Sequence, residues 1–332
     1  MSTLVSKQDM VDAYERIEDS IHRTPVFTSH DLNMLAGREL FFKAENMQKT
    51  GSFKVRGALN AVLQLKAKGQ DTLGVITHSS GNHAQALAYA TKKCGIKCTL
   101  VCPSNTARAK IEASKLYGAE LVFCAPTMPA RIRTCNAIST NTGASLVHSH
   151  DDLDVIAGQG TVALEFLDQV KGLDAIFVQT GGGGLAAGVA SWVKAVRPSC
   201  KVFCVEPYGK ELAKSLSVGV PCWPNPPQVV NTIADGLRVQ RLGEQTFPIV
   251  LAKCEQEVFT VTDTQIVAAM RLIYERMKLV VEPSGAVGLA AAMSQQAFNL
   301  PPEIRRIGII LSGGNQDLDK LPWCTPTEAN AD

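Results

Sequence analysis

The stretch Lys49-Thr50-Gly51-Ser52-Phe53-Lys54-Val55-Arg56-Gly57 follows a short apolar run at residues 40–42 and leads into a helix-like segment at residues 58–63. Within it, Lys54 stands between two apolar residues, just after a Gly-Ser turn. An ammonium group among apolar residues loses hydration, which lowers its pKa. The neutral amine that results can form a Schiff base with an aldehyde, whereas an ordinary lysine at such a junction is a surface charge. If Lys54 forms such a Schiff base, we expect the chain also to hold a phosphate cradle, a ring partner and a second acid–base group.

Composition sets the broad class of the protein. The chain has 332 residues, of which 45% are hydrophobic and 19% charged, and its formal net charge is +2. This is typical of a globular protein with two domains or one large α/β unit. The sequence shows no basic block, no pattern of a secretory leader and no run of about 18 apolar residues. We therefore expect neither a nucleic-acid partner nor a membrane partner. The ten cysteines form no C-x-x-C pair, which favours a reduced, cytoplasmic protein.

Strand and helix patterns alternate along most of the chain. This rhythm predicts an α/β fold with a large, doubly wound, mostly parallel sheet covered on both faces. We expect a smaller α/β domain at residues 72–150 and a large domain formed by residues 1–71 and 151–332. The predicted strands cover residues 40–43, 74–77, 98–102, 120–123, 145–148, 175–179, 201–205, 257–261 and 307–311.

The phosphate cradle is predicted at Gln179-Thr180-Gly181-Gly182-Gly183-Gly184-Leu185, between a strand and a helix. Four glycines let the backbone approach an anion closely, and the helix N-terminus offers free N–H groups. The run lacks the spacing of dinucleotide sites and the Gly-Lys-Ser/Thr of a P-loop. A small phosphate ester suits it better than a dinucleotide, and a flexible loop is the alternative.

Two further polar turns follow predicted strands. Ser312, after the apolar strand at residues 307–311, could share a hydrogen bond with a pyridine nitrogen, or it is a plain turn serine. The turn Ser79-Ser80-Gly81-Asn82-His83 precedes a helix, where hydroxyl and N–H groups can hold a carboxylate. An N-cap cluster is the alternative reading of that turn.

These features, in this order, resemble the fold-type II pyridoxal 5′-phosphate enzymes, and within them the amino-acid racemases and serine/threonine dehydratases. The resemblance runs from about residue 20 to residue 320. The matching stretches are residues 49–57, 78–85, 158–161, 181–184, 232–236, 275–278 with Glu282-Pro283, and 311–315.

The resemblance implies roles residue by residue. Lys54 would carry pyridoxal 5′-phosphate as a Schiff base and act as base on one face of the substrate carbon, and Ser80 would act on the opposite face. The large domain would hold the cofactor. The implied cofactor contacts are Phe53, Lys54, Asn82, Gly181, Gly182, Gly183, Gly184, Leu185 and Ser312. The implied substrate contacts are Ser79, Ser80, Asn82, His83 and Arg131.

The implied activity is racemisation of L-serine to D-serine, with α,β-elimination of serine to pyruvate and ammonia. A serine opposite the ring nitrogen leaves that nitrogen largely unprotonated, so the ring is a weaker electron sink and transamination is disfavoured. Reprotonation from Ser80 inverts the carbon, whereas loss of the β-hydroxyl gives elimination. The alternatives are a serine/threonine or 3-hydroxyaspartate ammonia-lyase, an aspartate racemase, and a cofactor-binding sensor without turnover.

The resemblance also implies ligands outside the reaction centre. Mg²⁺ or Ca²⁺ would bind Glu206 and, if the loop is one residue shorter, Glu211; alternatively Lys210 supplies the positive charge. An allosteric ATP at the interface of a homodimer would contact Lys49, Thr50, Gln85, Tyr117, Arg276 and Asn315.

His150 departs from the family pattern, because racemases commonly carry an asparagine there. A lone histidine is more often structural. Within the site it would favour a larger or acidic substrate, such as aspartate or 3-hydroxyaspartate.

Overall fold

The computed structural model describes residues 5–106, 108–224 and 228–324. Residues 1–4 and 325–332 of the predicted large domain lie outside the described residues. The strands are β1 (Val26–Phe27), β2 (Glu39–Lys43), β3 (Val75–Thr77), β4 (Cys98–Pro103), β5 (Glu120–Cys124), β6 (Ser145–Leu146), β7 (Ala175–Gln179), β8 (Lys201–Pro207), β9 (Val258–Val261) and β10 (Arg306–Ile310). The helices are α1 (Lys7–Ile17), α2 (His30–Ala36), α3 (Lys54–Ala67), α4 (Asn82–Cys94), α5 (Arg108–Lys115), α6 (Met128–Thr142), α7 (Leu153–Gln169), α8 (Gly184–Val196), α9 (Leu212–Val218), α10 (Thr246–Lys253), α11 (Asp263–Leu272), α12 (Pro283–Ala292) and α13 (Gln295–Phe298).

Six strands form the larger sheet, in the order β1-β2-β10-β7-β8-β9. Only the β1–β2 pair is antiparallel, and the other neighbours pair in parallel. Every residue of β7 is buried, as expected where helices cover both faces of a parallel sheet. Separate apolar clusters contain side chains of α7 and α8 on one side and of α11 and α12 on the other. The predicted α/β class and mostly parallel sheet are confirmed.

A second sheet of four parallel strands has the order β5-β4-β3-β6. Its strands fall within residues 75–146, inside the segment 72–150. The exact division of the chain into two domains stays a prediction. In the described residues, no helix combines the length and apolarity needed to cross a lipid bilayer.

Helix α3 starts earlier than its sequence pattern predicts. It begins at Lys54, although Gly57 reads as a helix breaker. Gly57 lies against Gly158 of α7, and a Cβ atom on Gly158 would stand 2.6 Å from the Gly57 Cα. The close crossing of α3 and α7 therefore requires glycine on both helices, and tertiary packing outweighs helix propensity there.

Candidate active site

The order of the strands brings distant loops together. β2, β10, β7 and β8 are neighbours, and in a parallel sheet their carboxyl ends share one edge. The lysine stretch follows β2, Ser312 follows β10 and the glycine run follows β7. The backbone N–H of Phe53 donates to the carbonyl of Ser312 at 3.1 Å, and that of Gly314 donates to the carbonyl of Gly51 at 2.9 Å.

Lys54 is the first residue of α3 and is half-buried. Its ammonium Nζ donates to the carbonyl of Ser149 at 2.6 Å and lies 5.1 Å from the centre of the Phe53 ring. Burial lowers the pKa of Lys54 to about 8, while the carboxyl of Glu282 opposes the shift. This agrees with the expected low-pKa amine, since a reactive lysine must lose its proton readily.

The glycine run presents free backbone N–H groups that suit an anion. Gly181 to Gly184 are all buried, and in the described chain none of their N–H groups donates to a protein acceptor. Gly184 begins α8, whose first N–H groups have no partner within the helix. Gly183 has φ +93°, which favours glycine, and Thr246 Oγ1 donates to the Gly182 carbonyl at 2.7 Å. Four free, buried N–H groups at a helix N-terminus fit the phosphate of the cofactor.

Ser312 lies in the loop after β10, which also carries one of two amide side chains that are bonded to each other. Ser312 is buried, and its hydroxyl forms no hydrogen bond with the described residues, so it is free for a ring nitrogen. Asn82 Nδ2 donates to Glu282 Oε1 at 2.7 Å, and Asn315 Nδ2 donates to Asn82 Oδ1 at 2.9 Å. Burial and Asp235 raise the pKa of Glu282 to about 8.

The turn before α4 contributes free polar groups. Ser79 Oγ accepts from the N–H of Gly81 at 3.4 Å, whereas the Ser80 hydroxyl has no protein partner in the described part of the chain. Both serines are half-buried. A free hydroxyl beside the N-terminus of a helix suits a substrate carboxylate or a proton transfer.

Histidines surround this centre. The rings of His78 and His148 lie 5.5 Å apart, and those of His148 and His150 lie 4.5 Å apart. Burial is the main cause that lowers the pKa of His83 to about 3 and that of His148 to about 4. Burial also holds the pKa of His150 well below its usual value. All are therefore neutral at pH 7.

His150 reaches the glycine run. A Cβ atom on Gly182 would lie 2.3 Å from the His150 ring, and one on Gly184 would lie 3.0 Å from its Cα. Ser149 Oγ and His150 Nδ1 are 3.0 Å apart. The residue that departs from the family pattern thus lies next to the cradle.

Arg131, of α6, reaches the same centre through Nη2, which donates to the carbonyl of His78. Its Nε is buried without a hydrogen-bond partner, and no ion pair in the described residues includes this arginine. Burial lowers its pKa. A guanidinium without a carboxylate is available to an acidic ligand.

The residues of the expected nucleotide site are only partly assembled. Asn315 Nδ2 donates to the Thr50 carbonyl at 2.8 Å, next to Lys49. Tyr117 packs edge-on against Tyr89, and Arg276 pairs with exposed Asp31 at 3.4 Å. Gln85 is buried in α4. In the described chain no hydrogen bond or ion pair joins Tyr117 or Arg276 to Thr50, so the nucleotide site stays a prediction.

The expected divalent-metal ligands do not form a metal site by themselves. Glu206 is buried, whereas Glu211 is exposed at the start of α9. Among the described residues, no group of three or more His, Cys, Asp or Glu side chains could hold a metal ion. The ammonium of Lys210 is buried beside Glu206 instead. The residues present therefore do not fit Mg²⁺ or Ca²⁺.

Sequence reasoning named no role for three residues of the centre. Glu282 bonds Asn82, the Ser149 carbonyl receives Lys54, and Asp151 accepts the N–H groups that begin α10 at 2.7 to 3.3 Å. The sequence signal that could have identified Glu282 is an acidic residue directly before Pro283, at the start of an apolar helix. A carbonyl acceptor leaves no signal in the sequence.

A low-pKa lysine, a cradle of free N–H groups and an unbonded serine define a binding site for a phosphate-bearing aldehyde. The chain belongs to the family described as "Pyridoxal-phosphate dependent enzyme", whose model matches residues 17–313. It is 44% identical over 317 residues to a serine racemase of Dictyostelium discoideum, covering 96% of this chain and 97% of the relative. It is 42% identical over 318 residues to a beta-hydroxyaspartate dehydratase of Paracoccus denitrificans, covering 95% and 98%. The crystal structure of a pyridoxal 5′-phosphate-dependent aspartate racemase matches with a TM-score of 0.94 and 48% identity, covering 96% of this chain and 98% of that one.

Proposed function

We propose that this protein is a pyridoxal phosphate-dependent serine racemase that also eliminates water from serine to give pyruvate and ammonia. The near full-length similarity to a serine racemase supports this substrate. The observation that carries the mechanism is the tie between Asn82 and Asn315. It joins the turn that holds Ser80 to the loop after β10, and that loop is bonded to the Lys54 stretch.

The chain supplies binding, orientation and proton transfer. The cofactor, when bound, supplies a conjugated ring that accepts the electron pair released at the substrate α-carbon. The N–H groups of Gly181 to Gly184 would bind the phosphate, and the Ser312 hydroxyl would bond the ring nitrogen without charging it. Lys54 Nζ, with its pKa near 8, takes the α-proton on one face. Ser80 Oγ delivers a proton on the other face, which inverts the carbon.

Product analysis tests the proposal. Incubation with L-serine is expected to give D-serine by chiral chromatography, together with pyruvate and ammonia. Ser80→Ala is expected to lose racemisation by about 100-fold or more, the usual contribution of a positioned acid–base group, while elimination from L-serine continues. Ser217→Ala, at an exposed serine of α9, is the matched control. Pyruvate without D-serine from the wild type would refute the racemase and leave an ammonia-lyase.

A second candidate is the same chemistry on an acidic amino acid, aspartate or 3-hydroxyaspartate. Arg131 supports it, because this guanidinium beside the serine turn has no carboxylate partner in the described residues. His150 beside the cradle supports it as well. Comparing kcat/KM for L-serine, D-serine, L-threonine and L-aspartate separates the candidates, since preferential turnover of L-aspartate would replace serine as the substrate.

Several finer properties are proposed with the enzyme: a homodimer, a cytoplasmic location, allosteric control by ATP, and the domain boundaries at residues 72 and 150. The bond between Asn315 and Thr50 beside Lys49 supports the nucleotide. Titration with ATP during serine turnover, paired with sedimentation to measure assembly, tests both ATP control and dimerisation.

A further inference from the structure

Lys210 is a buried cation next to the phosphate cradle. It lies in the turn after β8 and is 2% exposed. Its ammonium Nζ donates to the carbonyl of Gly181 at 3.2 Å and to the carbonyl of Val239. Gly209 has φ +98° and Glu211 has φ +61°, so the backbone turns sharply on both sides of Lys210. The cation thus links the first glycine of the cradle to a separate loop.

A buried carboxyl group interacts electrostatically with this ammonium without forming a hydrogen bond or ion pair with it. Glu206, 2% exposed, lies at the end of β8, and its Oε1 accepts from the N–H of Leu212 at 3.3 Å. Its Oε2 is buried without a partner in the described part of the chain. Opposite buried charges offset part of each other's desolvation cost. Burial lowers the pKa of Lys210 and raises that of Glu206, and the attraction between the two groups opposes both shifts.

The oxygen atoms near Lys210 are of the kind that a divalent ion binds. Mg²⁺ and Ca²⁺ bind carboxylate and backbone carbonyl oxygens, and here two carbonyls accept from the ammonium while one carboxyl group interacts with it electrostatically. Three N–H groups can serve two carbonyls at once. The second carboxylate, that of Glu211, is exposed, and an added ion would meet the charge of Lys210. The Lys210 ammonium already bonds two of the oxygens that such an ion would need.

We propose that the Lys210 ammonium is a built-in cation, which holds Gly181 and the phosphate cradle in place of a divalent metal ion. The proposal requires only that the protein binds pyridoxal phosphate, as its family does. It concerns cofactor binding and stability, so it does not depend on which amino acid is turned over.

The wild-type holoenzyme gives the first test. Its Tm, and its affinity for pyridoxal phosphate measured by absorbance titration after cofactor removal, are expected to be unchanged by a chelator and by added MgCl2 or CaCl2. Loss of stability or cofactor affinity in the chelator, with recovery in Mg²⁺ or Ca²⁺, would overturn the proposal. This measurement on the wild-type protein tests the proposal even if a variant of Lys210 does not fold.

A pair of matched variants gives the second test. Lys210→Met keeps an apolar stem and removes the charge, and Lys214→Met makes the same change at an exposed lysine of α9. A charge-assisted hydrogen bond contributes enough that Lys210→Met is expected to bind pyridoxal phosphate about tenfold or more weakly. Lys214→Met should match the wild type. Equal cofactor affinity in the two variants would overturn the role of Lys210.

Discussion

Four charged side chains are fully buried around Arg56 of α3, and removing one of these charges should measurably lower the stability of the fold. Arg56 donates to both oxygens of Glu45 at 2.8 Å, and to the two oxygens of Glu165 at 2.8 and 2.9 Å. Lys43 Nζ donates to Glu165 at 2.5 Å. Two cations thus balance two anions, and all four side chains have 0% exposure. Replacing Arg56 by methionine fills much of the volume but leaves two carboxylates facing one ammonium.

The expected loss of folding free energy in Arg56→Met follows from the burial of the ion pair. Removing one partner of a buried ion pair costs about 3–5 kcal/mol, because the other charge is left uncompensated. With about 2.1 cal/mol/K of unfolding entropy per residue, the 332-residue chain loses roughly 4–7 °C in Tm. Surviving Lys43 does not offset this, since it already pairs with Glu165.

Thermal unfolding of Arg56→Met, followed by circular dichroism, measures the loss. The matched control is Arg271→Met, at a guanidinium 58% exposed whose Nε lies 2.7 Å from Glu275 Oε1. An exposed pair contributes less than about 1 kcal/mol, so this control should shift Tm by less than about 2 °C. A Tm loss in Arg56→Met no larger than in Arg271→Met would refute the reasoning.

Two further predictions concern the cofactor centre. Lys54→Ala is expected to lose the visible Schiff-base absorbance and all turnover, and a variant that keeps the band would place the aldehyde on another amine. Glu282→Gln tests the raised pKa of Glu282. Because the folded apoenzyme holds a proton on Glu282 up to about pH 8 while the unfolded chain releases it near pH 4.3, folding stability should fall by about 1.4 kcal/mol per pH unit between them. The glutamine variant should lack that slope in chemical denaturation at successive pH values, and an identical slope in both proteins would contradict the shift.

Local features of the sequence determined much of this protein. Apolar runs bounded by turns predicted β7 as it is observed and β2, β4 and β10 to within one residue at each end. These signals work because burial on both faces of a parallel sheet requires continuous apolar runs. The glycine run was recognisable as a candidate anion site for a similar reason, since free N–H groups at a helix start are a local property.

Sequence patterns did not foresee where α3 begins. The helix runs from Lys54 through Gly57, which packs against Gly158 of a different helix. Strand β1 and helix α2 were also missed, because two residues and seven residues are too short for a periodic signal.

Composition of the site was readable from the chain, but its assembly was decided by tertiary structure. Asn82 and Asn315 are 233 residues apart and bonded to each other, although they follow strands of different sheets. The carboxyl of Glu282, the carbonyl that receives Lys54 and the ammonium of Lys210 acquire their surroundings only in that arrangement. Burial sets their charges, and burial is a property of the whole fold. The sequence therefore determined which groups are present, and the packing decided which of them meet and in what protonation state.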